Sequence, residues 1–175
     1  MSNDTIRSIK ERRAIRAFKP EQITDDELMT VLEAGTYAPS GRGLQASQMV
    51  VVQNKELMDR IIRMNQDVLG NRLKNPYYGA PTVILVFAPE SRNTYIEDGS
   101  CLLDTLMLAA HSIGLGSCWI HREKEMFETE EGRELMKEFG LDDDMKGIGA
   151  LALGYIEGNA PEAKPRREGY YTIIK

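Results

Sequence analysis

The sequence contains Arg12-Arg13-Ala14-Ile15-Arg16-Ala17-Phe18, a stretch that places three guanidinium groups within five residues. Lys10 and Lys19 flank it, although the whole chain carries a net charge of −5. Arginine recognises phosphate and carboxylate through planar, bidentate hydrogen bonds, so a positive cluster in an acidic protein suggests an anion site. The alternative is a solvated helix face on which the arginines pair with surface carboxylates, and the stretch alone does not distinguish the two.

The composition is that of an ordinary globular protein, with 175 residues of which 42% are hydrophobic and 28% charged. We expect a single domain over residues 1–175. Acidic residues outnumber basic ones by 27 to 22, which argues against nucleic acid as a partner because phosphate contacts need a basic face. The sequence has no apolar run that could span a bilayer and no secretory signal near its start. We therefore expect no membrane partner and a cytoplasmic location.

Cysteine usage gives no sign of a metal site or of a disulfide framework. The two cysteines, Cys101 and Cys118, are too few and too far apart for either. We predict two reduced thiols and no bound metal.

Apolar periodicity and capping residues predict five helices. The clearest start is the capping box Thr24-Asp25-Asp26-Glu27, and Pro39 ends that helix near Ala38. The other predicted helices cover residues of about 4–13, 55–66, 97–113 and 129–139, and residues 65–79 allow a further short one. The segment 97–113 is apolar over most of its circumference, which in a chain of this length favours a subunit interface over a core.

Runs rich in β-branched and other apolar residues predict the strands, which cover residues 48–53, 81–87, 116–120 and 148–155. The continuous apolar run of 81–87 indicates a central strand that is buried on both faces. Residues 170–174 also have strong strand propensity, but they follow a long segment rich in proline and basic residues. That last strand can pair either with an edge of the same sheet or with another subunit.

The loop Pro39-Ser40-Gly41-Arg42-Gly43-Leu44-Gln45 is rich in small residues, which allow a ligand to approach the main chain. It is not a P-loop, because no Gly-Lys-Ser/Thr follows, and it lacks the third glycine of a dinucleotide fingerprint. The alternative is a plain connecting loop.

Four pieces of the sequence occur together in one order. They are residues 12–18, Ala38-Pro39-Ser40 with Gln45, Gly114-Leu115-Gly116-Ser117-Cys118-Trp119-Ile120, and Lys164-Pro165-Arg166. This set resembles the flavin-dependent nitroreductase family in its short, minimal form, and the resemblance covers essentially the whole chain. No single piece is decisive, but the four together are specific.

The resemblance implies an α+β fold with a small, mainly antiparallel sheet flanked by helices. It also implies an obligate homodimer with FMN in two symmetric clefts at the interface. In such a dimer the C-terminal tail is exchanged between the subunits and adds a strand to the partner. The whole chain is then one FMN-binding, nitroreductase-like domain.

The resemblance further implies which residues bind the cofactor. The phosphate and ribityl chain would be held by Arg12, Arg13, Ala14 and Arg16, with Lys164 and Arg166 as a second basic group at the phosphate. The flavin would be reached from the partner subunit by Pro39, Ser40, Gly41 and Gln45. Trp119, Ile120, His121 and Arg122 would lie beside the flavin ring, and Asn71 is a further candidate contact.

Some residues depart from the family's usual pattern. Ala14 stands where a serine is common, so charge carries more of the expected cofactor binding. Gly43, Ala46 and Ser47 replace an asparagine, a proline and an aromatic residue, which suggests a roomier cleft. His121 and Arg122 stand where glycine or an acidic residue is common, and their positive charge favours an anionic flavin or substrate.

The activity implied by the resemblance is reduction of small electron-poor acceptors, such as nitroaromatics, quinones and enones. NADH or NADPH donates a hydride to FMN and leaves before the acceptor binds, in a ping-pong cycle that requires no dedicated catalytic residue on the protein. Two alternatives stay open. The first is another reaction on the same fold, such as dehalogenation or flavin fragmentation, and the second is an FMN-binding redox or ligand sensor without turnover.

Overall fold

The computed structural model describes residues 3–175, which contain six α-helices and four β-strands. In chain order the elements are α1 (Asp4–Glu11), α2 (Asp25–Thr36), β1 (Gln48–Val52), α3 (Lys55–Val68), β2 (Thr82–Pro89), α4 (Tyr95–Ser112), β3 (Gly116–Ile120), α5 (Glu123–Glu128), α6 (Glu130–Glu138) and β4 (Met145–Gly154). A single 3-10 turn, Gly41–Gly43, lies between α2 and β1. The fold is α+β, as the sequence predicts.

The four strands form one antiparallel sheet in the order β1-β2-β4-β3. Strand β2 lies between β1 and β4, and its first seven residues are buried, which confirms the prediction of a central strand. Strands β1 and β3 are therefore the two opposite edges of the sheet. Since neighbouring strands lie about 4.8 Å apart, the two edges are roughly 14 Å apart.

Helices cover both faces of the sheet, and each face has its own apolar core. On the face that we call the α3 face, Ile61, Phe87 and Met126 pack together with residues of α3, α5 and α6. On the other, the α4 face, residues of α2 and α4 pack against the sheet around Ile84 and Leu103. Strand residues alternate between these two cores, as expected for a sheet that is covered on both sides.

Helix α2 begins with the predicted capping box. The Thr24 side chain accepts a hydrogen bond from the Glu27 backbone N–H, and the Glu27 carboxylate accepts one from the Thr24 N–H at 2.8 Å. Tyr155, at the end of β4, donates a further hydrogen bond of 2.7 Å to the same carboxylate. The start of α2 is thus linked by a hydrogen bond to the C-terminal end of β4.

Packing within the chain accounts for the buried leucines of α4, and a subunit interface along this helix stays a prediction. Buried Leu102, Leu103 and Leu106 face the sheet and α2, whereas Cys101 and Asp104 on the outer side are exposed. Because the sheet and α2 both pack against α4, a wide part of its surface is buried. Within residues 3–175, α4 and every other helix is too short or too polar to cross a membrane.

The structure corrects several predictions about the positions of elements. Residues 69–79 form turns and not a further helix, because the chain reverses after α3 at Gly70 and Asn71 with positive φ angles. The short helix α5 was not predicted, since its six residues are too few to show a helical period. Helix α2 ends at Thr36, and β4 begins at Met145, three residues before the predicted start.

Residues 170–174, predicted as a strand, do not form one in this chain, and they do not pair with the chain's own sheet. Residues 157–175 are exposed, including 75% of Tyr170 and 93% of Ile174. One edge that could have received the tail is partly occupied, because Ala14 forms a parallel bridge with Ser117 of β3.

The N-terminal arginine stretch is attached to the sheet by its backbone. The Ile15 N–H donates to the Ser117 carbonyl at 2.9 Å, and Phe18 forms a bridge with Ile156 just after β4. Ile15 and Phe18 are buried in the α3-face core, whereas Arg16 and Ala17 are exposed. Gly116 makes this attachment possible, because a Cβ there would lie 2.8 Å from Ile156 and 3.1 Å from Ile15.

We expect Gly116→Ala to lower the free energy of unfolding by about 1–3 kcal/mol, because two stiff β-branched side chains would have to move. Urea unfolding followed by circular dichroism measures the difference. Ala17→Ser is the control, since it adds one atom to the same stretch at an exposed position and should change stability by less than about 0.5 kcal/mol. Equal stability of Gly116→Ala and wild type would contradict the close packing of residue 15.

Candidate functional site

The N-terminal stretch runs beside β3, which carries the buried thiol of Cys118. Burial raises the pKa of this thiol, and the positive charges of Arg16 and Arg12 act on the pKa in the opposite direction. The Arg13 guanidinium instead turns back and donates to the main-chain carbonyls of Lys10 and Arg12, at 2.8 and 2.6 Å. Arg12 and Arg16 are therefore the two guanidinium groups that are available beside β3.

These two guanidinium groups are not neutralised by surface carboxylates. Among residues 3–175, neither Arg12 nor Arg16 forms an ion pair or a side-chain hydrogen bond with another residue. The Arg16 guanidinium carbon lies over the Tyr78 ring, 5.9 Å from its centre. The alternative of arginines paired on a helix face is thus wrong for these residues, and the donor set that remains suits an anion.

The end of β3 lies next to this cluster. Ile120 is buried in the α3-face core, and Trp119 points to the other face, where the absence of a side chain at Gly149 leaves room for its indole. His121 is exposed, and Arg122 has a φ of 99° at the point where the chain turns into α5. The Arg122 guanidinium lies 3.5 Å from the Glu125 carboxylate, so its charge is partly compensated.

The segment between α3 and β2 brings Tyr78 to the cluster. Asn71 is exposed with a φ of 59°, and its N–H donates to the Gln66 carbonyl at 2.8 Å to close the end of α3. Tyr78 has a φ of 57°. The structure thus places Arg12 and Arg16 beside β3 and Tyr78 against Arg16. We call this surface region, together with the residues that follow β3, the arginine site.

The glycine loop, residues 39–45, lies elsewhere in this chain. The Gly41 N–H donates to the buried Asp98 carboxylate at the start of α4 (2.8 Å), and the Gln45 N–H donates to the Ser40 hydroxyl (2.9 Å). Pro39 is exposed beside them. The loop leads into β1 on the α4 face, whereas the arginine site lies at β3 on the α3 face. One chain therefore carries two separate groups of candidate residues.

The late basic pair lies in the exposed tail. The Arg166 guanidinium donates to the Lys164 carbonyl at 2.6 Å, and within residues 3–175 neither side chain contacts the arginine site. The structure does not bring these two residues together with Arg12 or Arg16 in a single chain.

Backbone strain is concentrated in the candidate segments. Five non-glycine residues in the described part of the chain have positive φ, and they are Arg42, Gln45, Asn71, Tyr78 and Arg122. Each belongs to the glycine loop, to the α3–β2 segment or to the end of β3. The left-handed conformation costs about 1–2 kcal/mol for each such residue, and strain of this kind is commonly concentrated at functional sites.

A buried polar chain beneath the arginine site was not predicted from the sequence. Asn65 of α3 donates to the Tyr77 hydroxyl at 3.4 Å, and this hydroxyl donates to the Glu123 carboxyl of α5 at 3.2 Å. All three residues have no exposed surface. An acidic residue in the first turn of a helix is usually exposed to solvent, where it stabilises the helix dipole. No feature of the sequence therefore marks Glu123 as buried.

Burial changes the pKa values of Glu123 and Tyr77. It raises the pKa of Glu123 to about 8, and the hydrogen bond from Tyr77 only partly opposes that change. Burial also raises the pKa of Tyr77, and the nearby Glu123 adds to the effect. At neutral pH both groups are therefore uncharged.

Within residues 3–175, no cluster of three or more His, Cys, Asp or Glu side chains is arranged to hold a metal ion. His121 is exposed, and Cys118 is buried with a raised pKa, which makes it a poor nucleophile. The chemistry that the site offers is therefore anion binding beside a strand end, without a nucleophile or a metal centre among the described residues.

Comparison with known proteins agrees with this geometry. The model of the nitroreductase family matches residues 9–70 and 66–155, which together make up most of the chain. The solved structure of a nitroreductase with bound FMN from Bacteroides fragilis is 30% identical, covers 99% of this chain and 100% of its own, and has a TM-score of 0.89.

Two further relatives are similar over nearly the whole chain. A nitroreductase with bound FMN from Desulfitobacterium hafniense is 26% identical, with a TM-score of 0.88 and coverage of 99% of this chain and 100% of its own. The NADPH-flavin oxidoreductase of Vibrio harveyi is 27% identical over an alignment of 188 positions, gaps included, that spans 98% of this chain and 73% of the relative. The chain is therefore an oxidoreductase that belongs to the nitroreductase family.

Proposed function

We propose that this chain binds one FMN and uses NADH or NADPH to reduce small electron-poor acceptors, such as nitroaromatics, quinones or enones. The observation that carries the proposal is the pair of unneutralised guanidinium groups, Arg12 and Arg16, beside β3. Two relatives of the same fold bind FMN, and a third is an NADPH-flavin oxidoreductase.

The residues present fit the phosphate end of FMN. A phosphate monoester is close to a dianion at neutral pH, and two arginines without other partners supply charge-assisted hydrogen bonds to it. Ala14 lies between them with its main chain bridged to Ser117, so it can contribute a backbone contact but no hydroxyl. Arg13 has its guanidinium engaged by carbonyls and supports the turn of the chain.

FMN, when bound, would supply the chemistry of hydride transfer between the nicotinamide and the acceptor. The chain's own residues bind, orient and shield it. The main chain of Ile120, His121 and Arg122 would lie along the flavin ring, with Trp119 and Asn71 at its margins. The positive charges of His121, when protonated, and of Arg122 would favour an anionic flavin or acceptor.

A second copy of the chain would complete the site. The glycine loop with Pro39, Ser40, Gly41 and Gln45 is at the opposite sheet edge from the arginine site, so a partner's loop would reach the flavin instead. The tail carries Lys164 and Arg166 followed by exposed apolar residues, which would pair with a partner and bring the basic pair to the phosphate. The functional unit is then a homodimer with two FMN sites.

The direct test of the proposed function is spectroscopic. Purified protein supplemented with FMN should be yellow after gel filtration, and its flavin absorbance should bleach anaerobically when NADH or NADPH is added. Stopped-flow reoxidation with a nitroaromatic, a quinone, an enone and a halogenated phenol then identifies the acceptor class. A colourless protein that takes up no FMN would overturn the proposal, and a yellow protein that no nicotinamide reduces would instead support a sensor.

Arg16→Ala and Arg12→Ala should each weaken FMN binding by about 1.5–3 kcal/mol, which is roughly ten- to 150-fold in Kd, because each removes a hydrogen bond to a charged phosphate. Arg166→Ala should act in the same direction if the tail reaches the phosphate. Fluorescence titration of FMN measures these Kd values. Arg7→Ala is the control, since Arg7 pairs with Asp4 on exposed α1. Wild-type affinity in the two site variants would refute the phosphate assignment.

Deletion of residues 170–175 should weaken the dimer, because it removes the exposed apolar end of the tail. Sedimentation velocity over a range of concentrations gives the dimer dissociation constant. Removal of Lys175 alone is the control and should leave that constant unchanged. If the longer deletion also leaves it unchanged, the tail does not bind the partner.

A further inference from the structure

The buried polar chain beneath the arginine site connects the two strained segments that form this site. Tyr77 immediately precedes Tyr78, which has a φ of 57° and carries the ring under Arg16. Glu123 immediately follows Arg122, which has a φ of 99°. The hydrogen bond of 3.2 Å from Tyr77 to Glu123 therefore joins the residues next to both strained positions, across 46 residues of sequence.

This connection is placed where it can resist relaxation of both segments. The Tyr77 and Glu123 side chains have no exposed surface, and the core of the α3 face surrounds them. Gly147 of β4 packs directly on the Glu123 backbone, where a Cβ would lie 2.5 Å from the Glu123 carbonyl oxygen. Neither residue can move outward without opening this core.

The hydrogen bonding among Asn65, Tyr77 and Glu123 is complete only if the Glu123 carboxyl is neutral. Glu123 Oε2 and Asn65 Oδ1 are both buried without a hydrogen-bond partner, and both groups lie against the same Tyr77 hydroxyl. A protonated Oε2 is a donor and Oδ1 is an acceptor, so the two can satisfy each other directly or through one water molecule. An ionised Glu123 would instead leave two acceptors and a buried charge.

We propose that Tyr77 and Glu123 are positioning residues, whose buried neutral hydrogen bond holds Tyr78 and Arg122 in the left-handed conformations that shape the arginine site. Loss of this bond lets both segments relax together, and the site then binds its anionic ligand more weakly. The part of this inference that concerns FMN rests on the proposed function, whereas the coupling of the two segments does not.

The proposal implies a pH dependence with a definite sign. The Glu123 carboxyl accepts from the Tyr77 hydroxyl, which in turn accepts from the neutral Asn65 amide of α3. Gly147 of β4 packs on the Glu123 main chain, and the nearby charge of Glu125 on α5 raises the pKa of Glu123 further. Because this pKa is raised to about 8 in the folded protein, stability from the neutral carboxyl is present at low pH and is lost as pH rises to about 8.

The first test measures coupling without any ligand. Tyr77→Phe should speed hydrogen exchange of backbone amides both in residues 71–79 and in residues 120–126. Tyr78→Phe is the matched control, because it removes a hydroxyl from the neighbouring residue and leaves its ring over Arg16. Faster exchange in residues 71–79 alone would overturn the proposal, since it would show that Tyr77 does not hold the end of β3.

The second test measures FMN binding against pH with Glu123→Gln. Glutamine keeps an acceptor for Tyr77 and places an amide donor where the neutral acid has its hydroxyl. The wild-type Kd for FMN should rise about tenfold between pH 7 and pH 9, as the neutral fraction of Glu123 falls to about one-tenth. Glu123→Gln should match wild type at pH 6 and show a flatter profile above pH 7.

Glu128→Gln is the control for this test, because it makes the same chemical change at an exposed position of α5. It should follow the wild-type profile. Identical pH profiles of wild type and Glu123→Gln would overturn the positioning role. If wild type binds no FMN at any pH, the proposed function fails, and the exchange experiment alone decides whether the two segments are coupled.

Discussion

The hydrogen bond from the Ile15 N–H to the Ser117 carbonyl fixes where the arginine stretch, residues 12–18, lies on the sheet. It attaches an irregular segment to the edge of β3 at 2.9 Å and sets which of its side chains point inward. Ile15 is buried in the core, and Arg16 is consequently directed outward. Because Gly116 leaves room for Ile15, the arginine stretch lies alongside β3, the strand that leads to His121 and Arg122.

The arginine site is held in an unfavourable state before any ligand binds. Among residues 3–175 its two guanidinium groups have no carboxylate partners, and left-handed residues flank it on two sides. The surrounding structure must therefore supply the stability, and the core of the α3 face does so. An anionic ligand would supply the partners that these guanidinium groups lack.

The order of the strands divides the candidate residues between two surfaces. The glycine loop precedes β1 and the arginine stretch lies on β3, and these strands are opposite edges of the sheet. Two copies related by symmetry can bring one surface of each kind together twice, which a single chain cannot do. The exposed apolar tail agrees with the same arrangement, because it finds no pairing in its own chain.

The sequence by itself determined the local elements and the chemical character of the site. Capping residues such as Thr24 and Glu27 fixed the start of α2, apolar runs located all four strands of the sheet, and residues 12–18 suggested an anion site. These features depend on neighbouring residues, so a single sequence carries them.

Only the tertiary structure decided which charges stay unpaired and which polar groups are buried. The freedom of Arg16, the burial of Glu123 against Tyr77 and the intrachain packing of α4 each depend on contacts between residues far apart in sequence. Strand order likewise separated the glycine loop from the arginines. Composition and periodicity do not encode such contacts. A glutamate can be ionised at a solvated surface or neutral in a core, and its residue type does not tell which.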